Sequence, residues 1–157
     1  MKNSNVFSNH SEALNSTGFL FWRISNEWQR RINASLQSLS LTHTQFVLLA
    51  NIEYLNKKEN PVTQADLGSH SGTDPMTISS VVRSLEKKKY VLRKSHPEDT
   101  RKKTLILTKE GRSILKKSIS IVESTDHEFF SNFQSTDQNN SLQKLLRKGF
   151  DSIFSNR

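Results

Sequence analysis

Two helix starts and one helix stop crowd into residues 62–87, VTQADLGSHSGTDPMTISSVVRSLEK, and they restrict the folds open to this chain. Thr63 is a natural N-cap, and Asp66 three residues later completes a shortened capping box. Gly72 supplies the stop, because a left-handed residue there closes a helix at no steric cost. Asp74 and Pro75 restart a helix at once, as N-cap and first helical residue. Neither segment can run on into the other. The chain must therefore form two short helices joined by a tight turn of about three or four residues, a helix-turn-helix.

The flanking segments extend this frame. From Thr17 to Leu39 the apolar residues Phe21, Ile24, Trp28, Ile32, Leu36 and Leu39 recur every three or four positions, which predicts an amphipathic helix. LTHTQFVLLANIEYL, residues 41–55, is capped by Thr42 and is apolar on more than one face, so it predicts a buried helix. The polar stretch 56–61 ends in proline and reads as a loop. YVLRKS (90–95) and KKTLILT (102–108) have strand composition around a turn-forming HPEDTR, hence a hairpin. Thr108 then caps a long helix with Glu110 in its first turn and a stripe of Leu115, Ile119, Val122, Phe129 or Phe130, and Phe133. A last helix over about 137–154 carries Leu142, Leu146, Phe150 and Ile153.

Charge locates the working surface. Residues 75–118 hold 13 Lys or Arg against 4 Asp or Glu, while residues 1–74 balance at 6 against 6 and residues 119–157 at 4 against 5. The whole excess behind the net charge of +8 thus lies in one central segment, the footprint of a surface for polyanions. With no cysteine, the chain has no disulfide, thiolate metal site or thiol sensor. There is no 18-residue apolar run, and MKNSNVFSNHSEALNS lacks a signal-peptide core, so a cytoplasmic protein away from membranes is expected.

On a helical wheel over residues 73–87, Ile78, Val81, Val82 and Leu85 share the core side. Thr73, Met76, Ser80, Arg83 and Lys87 lie opposite, with Thr77, Ser79 and Ser84 at the margins. That outer face is small hydroxyls, one thioether and two long cations, without a carboxylate. Small residues allow close approach to a major groove, hydroxyls bond base edges or phosphates, and arginine grips guanine with two hydrogen bonds. An ordinary solvated face mixes both signs of charge, whereas Glu86 is the only acid between Pro75 and Pro97.

The basic run RKSHPEDTRKK, residues 93–103, is broken by Pro97, Glu98 and Asp99. A hairpin tip that enters a minor groove needs one extended cation, and ordering a free arginine costs on the order of 1–2 kcal/mol. Asp99 is placed to hold the Arg101 guanidinium extended before DNA arrives, and Pro97 stiffens the tip. Lys102 and Lys103 would meet flanking phosphates, and Arg93 and Lys94 the backbone of the other strand. The alternative is that Glu98 and Asp99 are exposed turn formers only. The candidate DNA-contacting set is Thr73, Asp74, Met76, Thr77, Ser79, Ser80, Arg83 and Lys87 with Arg93, Lys94, Asp99, Arg101, Lys102 and Lys103.

LTHTQFVLLANI and the stretch from TISSVVRSLEKKKYVLRKSHPEDTRKKTLILTKEG to SIL resemble the MarR family of winged helix-turn-helix transcriptional regulators over about residues 41–117. PEDTRKKTLILTKEG is the most specific part, with Asp99, Arg101, Leu107, Thr108 and Gly111 at the family's wing positions, and Leu85, Glu86 and Lys87 match its Leu-Glu-Lys helix end. The resemblance implies a mainly α fold with a small β-hairpin wing, and N- and C-terminal helices that interlock two copies. Residues 1–40 and 119–157 would be the dimerisation region and 41–118 the DNA-binding region of one intertwined domain. It implies a homodimer on a pseudo-palindromic double-stranded DNA operator, helix 74–89 in the major groove and wing 93–104 at the minor groove. Where the family usually has glycine before the first wing strand, this chain has KKKYV, which puts Lys89 where a left-handed backbone is needed.

The resemblance further implies release by a small aromatic or anionic effector in a cleft between the dimer arms and the DNA-binding lobe. Phe19, Trp22, Trp28, Phe46 and Tyr54 are aromatics for such a cleft, although core and dimer interface are the commoner places for any one of them. His10, His43, His70, His96 and His127 show no helical ligand spacing, so no metal or other cofactor is expected. No catalytic grouping stands out, and an enzyme is not expected. The competing reading is a basic, non-enzymatic interaction module for an acidic protein partner or RNA.

Overall fold

The computed structural model describes residues 12–57, 61–99, 101–133 and 141–155. Helices α1 (Thr17–Leu36), α2 (His43–Asn56), α3 (Gln64–Ser71) and α4 (Pro75–Lys87) lead into a hairpin of β1 (Val91–Ser95) and β2 (Lys103–Leu107). Helices α5 (Lys109–Phe130) and α6 (Leu142–Phe154) follow it. The strands are antiparallel, with Val91 opposite Leu107 and Ser95 opposite Lys103. Thr42, Thr63, Asp74 and Thr108 each cap a helix through the side chain, as the sequence predicts.

One core joins these elements. Ile32 and Leu36 of α1, Leu48, Leu49 and Ile52 of α2, Leu67 of α3, and Ile78, Val82 and Leu85 of α4 are all buried in it. Val91, Leu105 and Leu107 bring in the hairpin, and Leu115 and Val122 bring in α5. Helix α2 lies at the centre: Phe46 and Leu55 pack from its flanks, so its apolar residues are used on more than one face. Two bonds clamp the hairpin to the segment ahead of α3. The Leu105 amide donates to the Val62 carbonyl at 2.7 Å, and Asn56 Nδ2 donates to the Leu105 carbonyl at 3.0 Å.

Two boundaries and one inward-facing position differ from expectation. Helix α1 ends at Leu36, and Gln37–Leu39 form a 3-10 turn closed by Ser40 at φ 52°. The Leu41 amide bonds the Leu36 carbonyl across that turn, so the chain reverses three residues early. The last helix begins at Leu142, where Ser141 caps it; residues 137–140, expected in that helix, lie outside the described residues, as does His10. In α5 the inward position between Leu115 and Val122 belongs to Ser118, whose hydroxyl donates to the Leu115 carbonyl at 2.9 Å, and Ile119 faces out. Helix α5 packs against α1, α2 and β2.

Trp28 ties three helices at one point. Its Nε1 donates to Asp126 Oδ1 at 2.7 Å, and its ring meets His43 edge-on at 5.0 Å. Burial there holds the His43 imidazole below its ordinary pKa, against the opposing pull of Asp126. Among the described residues no helix is long and apolar enough to cross a membrane.

Candidate nucleic-acid interface

The two-helix unit forms as its signals demand. Asp66 Oδ2 accepts from the Thr63 amide at 2.8 Å while Thr63 Oγ1 accepts from the Asp66 amide at 3.3 Å, a reciprocal box at the start of α3. The Thr63 hydroxyl also donates to Asp66 Oδ2 at 2.7 Å, and this bond, with that from the Thr63 amide, holds the Asp66 carboxyl below the usual carboxylate range. Gly72 ends α3 at φ 68°, with its amide on the Gly68 carbonyl at 2.9 Å. The Asp74 carboxylate then accepts from the Thr77 amide at 2.9 Å and starts α4, so its role in the candidate set is to cap. Bonds from Thr77 depress its carboxyl as well.

The core side of α4 is as expected at Ile78, Val82 and Leu85, with Val81 half-buried at the margin. Met76, Ser80, Arg83 and Lys87 are exposed on the other side, and Thr73, Thr77 and Ser79 are half-buried. Arg83 lies back along the helix, with Nε on the Ser79 carbonyl at 3.2 Å and Nη2 near Ser79 Oγ at 3.3 Å. The helix itself stops at Lys87, two residues short of the expected 89. Lys89 adopts φ 60°, its amide bonds the Glu86 carbonyl, and the Tyr90 amide bonds the Leu85 carbonyl. That is a Schellman stop with lysine in glycine's usual place.

The hairpin tip is ordered by Asp99. Its Oδ1 accepts from both the backbone amide and Nε of Arg101, each at 3.1 Å, while the arginine side chain remains 90% exposed. Arg101 is the main reason the Asp99 carboxyl sits below its ordinary range. The turn is closed by the Lys102 amide on the Asp99 carbonyl at 2.9 Å and by the His96 amide on the Lys102 carbonyl at 3.1 Å. Lys94 and Lys102 are exposed, and Lys103 Nζ reaches Ser95 Oγ at 3.1 Å across the strands.

Two features escaped the sequence reading. Arg93, expected on a phosphate backbone, is paired with Glu86 Oε2 at 3.0 Å, and both side chains are about two-thirds buried. The lone acid of α4 therefore links that helix to β1, and its isolation among cations was the available signal. Lys88 Nζ donates to the Ser40 carbonyl and to Gln45 Oε1, and Gln45 Nε2 donates to Ser84 Oγ at 3.0 Å. Gln45 also accepts from the Thr42 amide in a capping box, which is a local pattern; its pairing with Ser84 and Lys88 is not.

The five candidate cleft aromatics are spread over separate places. Phe19 and Trp22 pair on exposed α1 with ring centroids 6.4 Å apart, and Trp28 sits with His43 and Asp126. Phe46 packs on the core, and Tyr54 stacks near His70. Among the described residues no three His, Asp or Glu side chains gather as a metal site would require.

Known proteins share this arrangement. A sequence model of the MarR family matches residues 41–103. An uncharacterized HTH-type transcriptional regulator of Bacillus subtilis, YdcH, is 40% identical over 138 residues, which cover 84% of this chain and 90% of that protein. The crystal structure of a mutant MarR from E. coli complexed with operator DNA is 25% identical with a TM-score of 0.72, over 84% of this chain and 91% of that one. CouR from Rhodococcus jostii, solved bound to p-coumaroyl-CoA, is 23% identical with a TM-score of 0.76, over 92% and 95% of the two chains. With the helix-turn-helix, the wing and the relative from Bacillus in agreement, the chain belongs to the MarR family of winged helix-turn-helix transcriptional regulators.

Proposed function

We propose that two copies of this chain form a homodimer that binds a pseudo-palindromic DNA operator, with α4 in the major groove and the hairpin tip at the minor groove. One observation carries the reading: an outward α4 face without a carboxylate, beside a hairpin whose exposed Arg101 is bonded by Asp99. Ser80, Arg83 and Lys87 approach bases and phosphates, with Met76, Thr73, Thr77 and Ser79 around them. Arg101 enters the minor groove, and Lys94, Lys102 and Lys103 meet phosphates. The mutant MarR complexed with operator DNA supports this assignment by its shared fold.

Residues 1–40 and 119–157 supply the dimer contacts in this reading, and 41–118 the DNA-binding lobe. Helix α6 buries none of its residues within the chain, yet Leu145, Leu146, Phe150 and Ile153 line it; Phe21 and Trp22 of α1 are equally uncovered. Such apolar surface fits an interface. A small aromatic or anionic effector releases the DNA, by analogy with ligand-bound CouR. The protein acts in the cytoplasm, and the reading gives it no catalytic role.

A salt titration on duplexes selected from a random library tests it. The expected log–log slope of affinity against salt is about −5 or steeper for the dimer, from counterion release. A slope near zero, or equal affinity for selected and random duplexes, refutes operator binding.

A further inference from the structure

Met76 is the most exposed large apolar side chain among the described residues, at 84%. It occupies the second position of α4, behind Pro75, where the N-terminal residues of a recognition helix approach base edges. Its surroundings on that face are Thr73, Thr77, Ser80 and, two turns on, Arg83. The hydroxyls are short, so the thioether stands above them. The Asp74 cap fixes the first turn from which it projects.

An apolar chain in that place gains nothing in the free protein, since it shields no core residue. It gains only against a surface that also has apolar area to hide. In the major groove, base edges present nitrogens, oxygens and amino groups, and one apolar group alone: the C5-methyl of thymine. Methionine is suited to it, being unbranched, polarizable and able to adjust to a methyl at slightly different depths. The neighbouring hydroxyls can satisfy the polar atoms on either side.

We propose that Met76 reads a thymine methyl group in each half of the operator. The proposal rests on the DNA-binding reading above and adds to it the identity of one base. Burying one methyl corresponds to about a fourfold change in affinity. Two symmetry-related contacts, acting independently, multiply to about fifteenfold for the dimer.

The test uses the full chain and the operator that it selects from a random library. Each thymine is replaced in turn by deoxyuridine, which removes only the methyl, and affinity is measured for the native protein, Met76→Ala and Met76→Gln. One thymine position per half-site should show a loss of about fourfold with the native protein and none with either variant. On the unmodified operator both variants should bind as weakly as the native protein binds the doubly substituted one. Equal affinity of native protein and Met76→Ala on that operator overturns the proposal. So does a uracil penalty that persists undiminished in the variants at every position. A selection that returns no preferred sequence overturns operator recognition itself, a separate outcome.

Discussion

Replacing Lys89 with glycine should make this protein more stable. Lys89 ends α4 at φ 60°, in the left-handed region, and three backbone bonds hold it there: Lys88 to Ser84, Lys89 to Glu86 and Tyr90 to Leu85. An L-residue in that region costs about 1–2 kcal/mol relative to its preferred backbone, because Cβ crowds the following carbonyl. Glycine removes the crowding but gives the unfolded chain more freedom, a loss of about 0.4–1 kcal/mol. The balance is a gain of about 0.5–1 kcal/mol. For 157 residues the unfolding entropy is about 330 cal/mol/K, so the midpoint should rise by roughly 2–3 °C.

Thermal unfolding followed by circular dichroism reads this directly, provided protein concentration is fixed, because dimerisation also shifts the midpoint. A series sharpens it. Glycine should rank first and asparagine second, with alanine level with lysine and valine lowest, since β-branching is least compatible with positive φ. If alanine matches glycine, the effect is one of charge or side-chain packing, and the account of strain at this turn is wrong.

Gly111→Ala should act oppositely: helix propensity alone would add about 1 kcal/mol, but a Cβ there would lie 2.0 Å from the Tyr90 carbonyl oxygen. Backbone must move, at about 3 kcal/mol, and chemical denaturation should show a net loss. Arg101→Ala should weaken operator binding about tenfold, mostly at A·T-rich flanks, as read by fluorescence anisotropy. Asp99→Ala should weaken it too, although it removes a negative charge facing DNA; tighter binding would mean that Asp99 only repels. Because burial holds the His43 pKa below its unfolded value of 6.5, its contribution to stability is present above about pH 6.5 and is lost as pH falls. Thermal midpoints should therefore drop less between pH 7 and 5 in His43→Gln than in the native chain, and equal drops would remove His43 as the cause.

Local chemistry made much of the fold legible. Caps at Thr42, Thr63, Asp74 and Thr108 depend on residues within one turn of each other, and a linear reading sees them. The Asp99–Arg101 pair is two residues apart and was equally visible. The left-handed Lys89 was anticipated from the resemblance, since the family usually carries glycine before the first wing strand. Periodicity failed at Ile119 and Ser118, where the spacing allows either to face inward and the tertiary packing of α5 decides.

What one dimension hides is polar pairing across long separations. Gln45 is 7% exposed; its Oε1 accepts from the Thr42 amide in a local capping box, but Ser84 and Lys88 complete the pairing of its amide from 39 and 43 residues away. The same Lys88 holds the Ser40 carbonyl at the turn that ends α1, and among the described residues Ser40 is the other non-glycine residue at positive φ. The end of the recognition helix and the corner between α1 and α2 are thus joined by one ammonium group, each next to a strained residue. An arrangement of that kind resists drift in the angle between α1 and α4, because bending either turn breaks charge-assisted bonds that the surrounding apolar core cannot replace. In a dimer built through α1, that angle sets the distance between the two recognition helices. In the dimer proposed above, half-site spacing would then depend on polar contacts made between residues far apart in sequence, a kind of pairing that no local pattern announces.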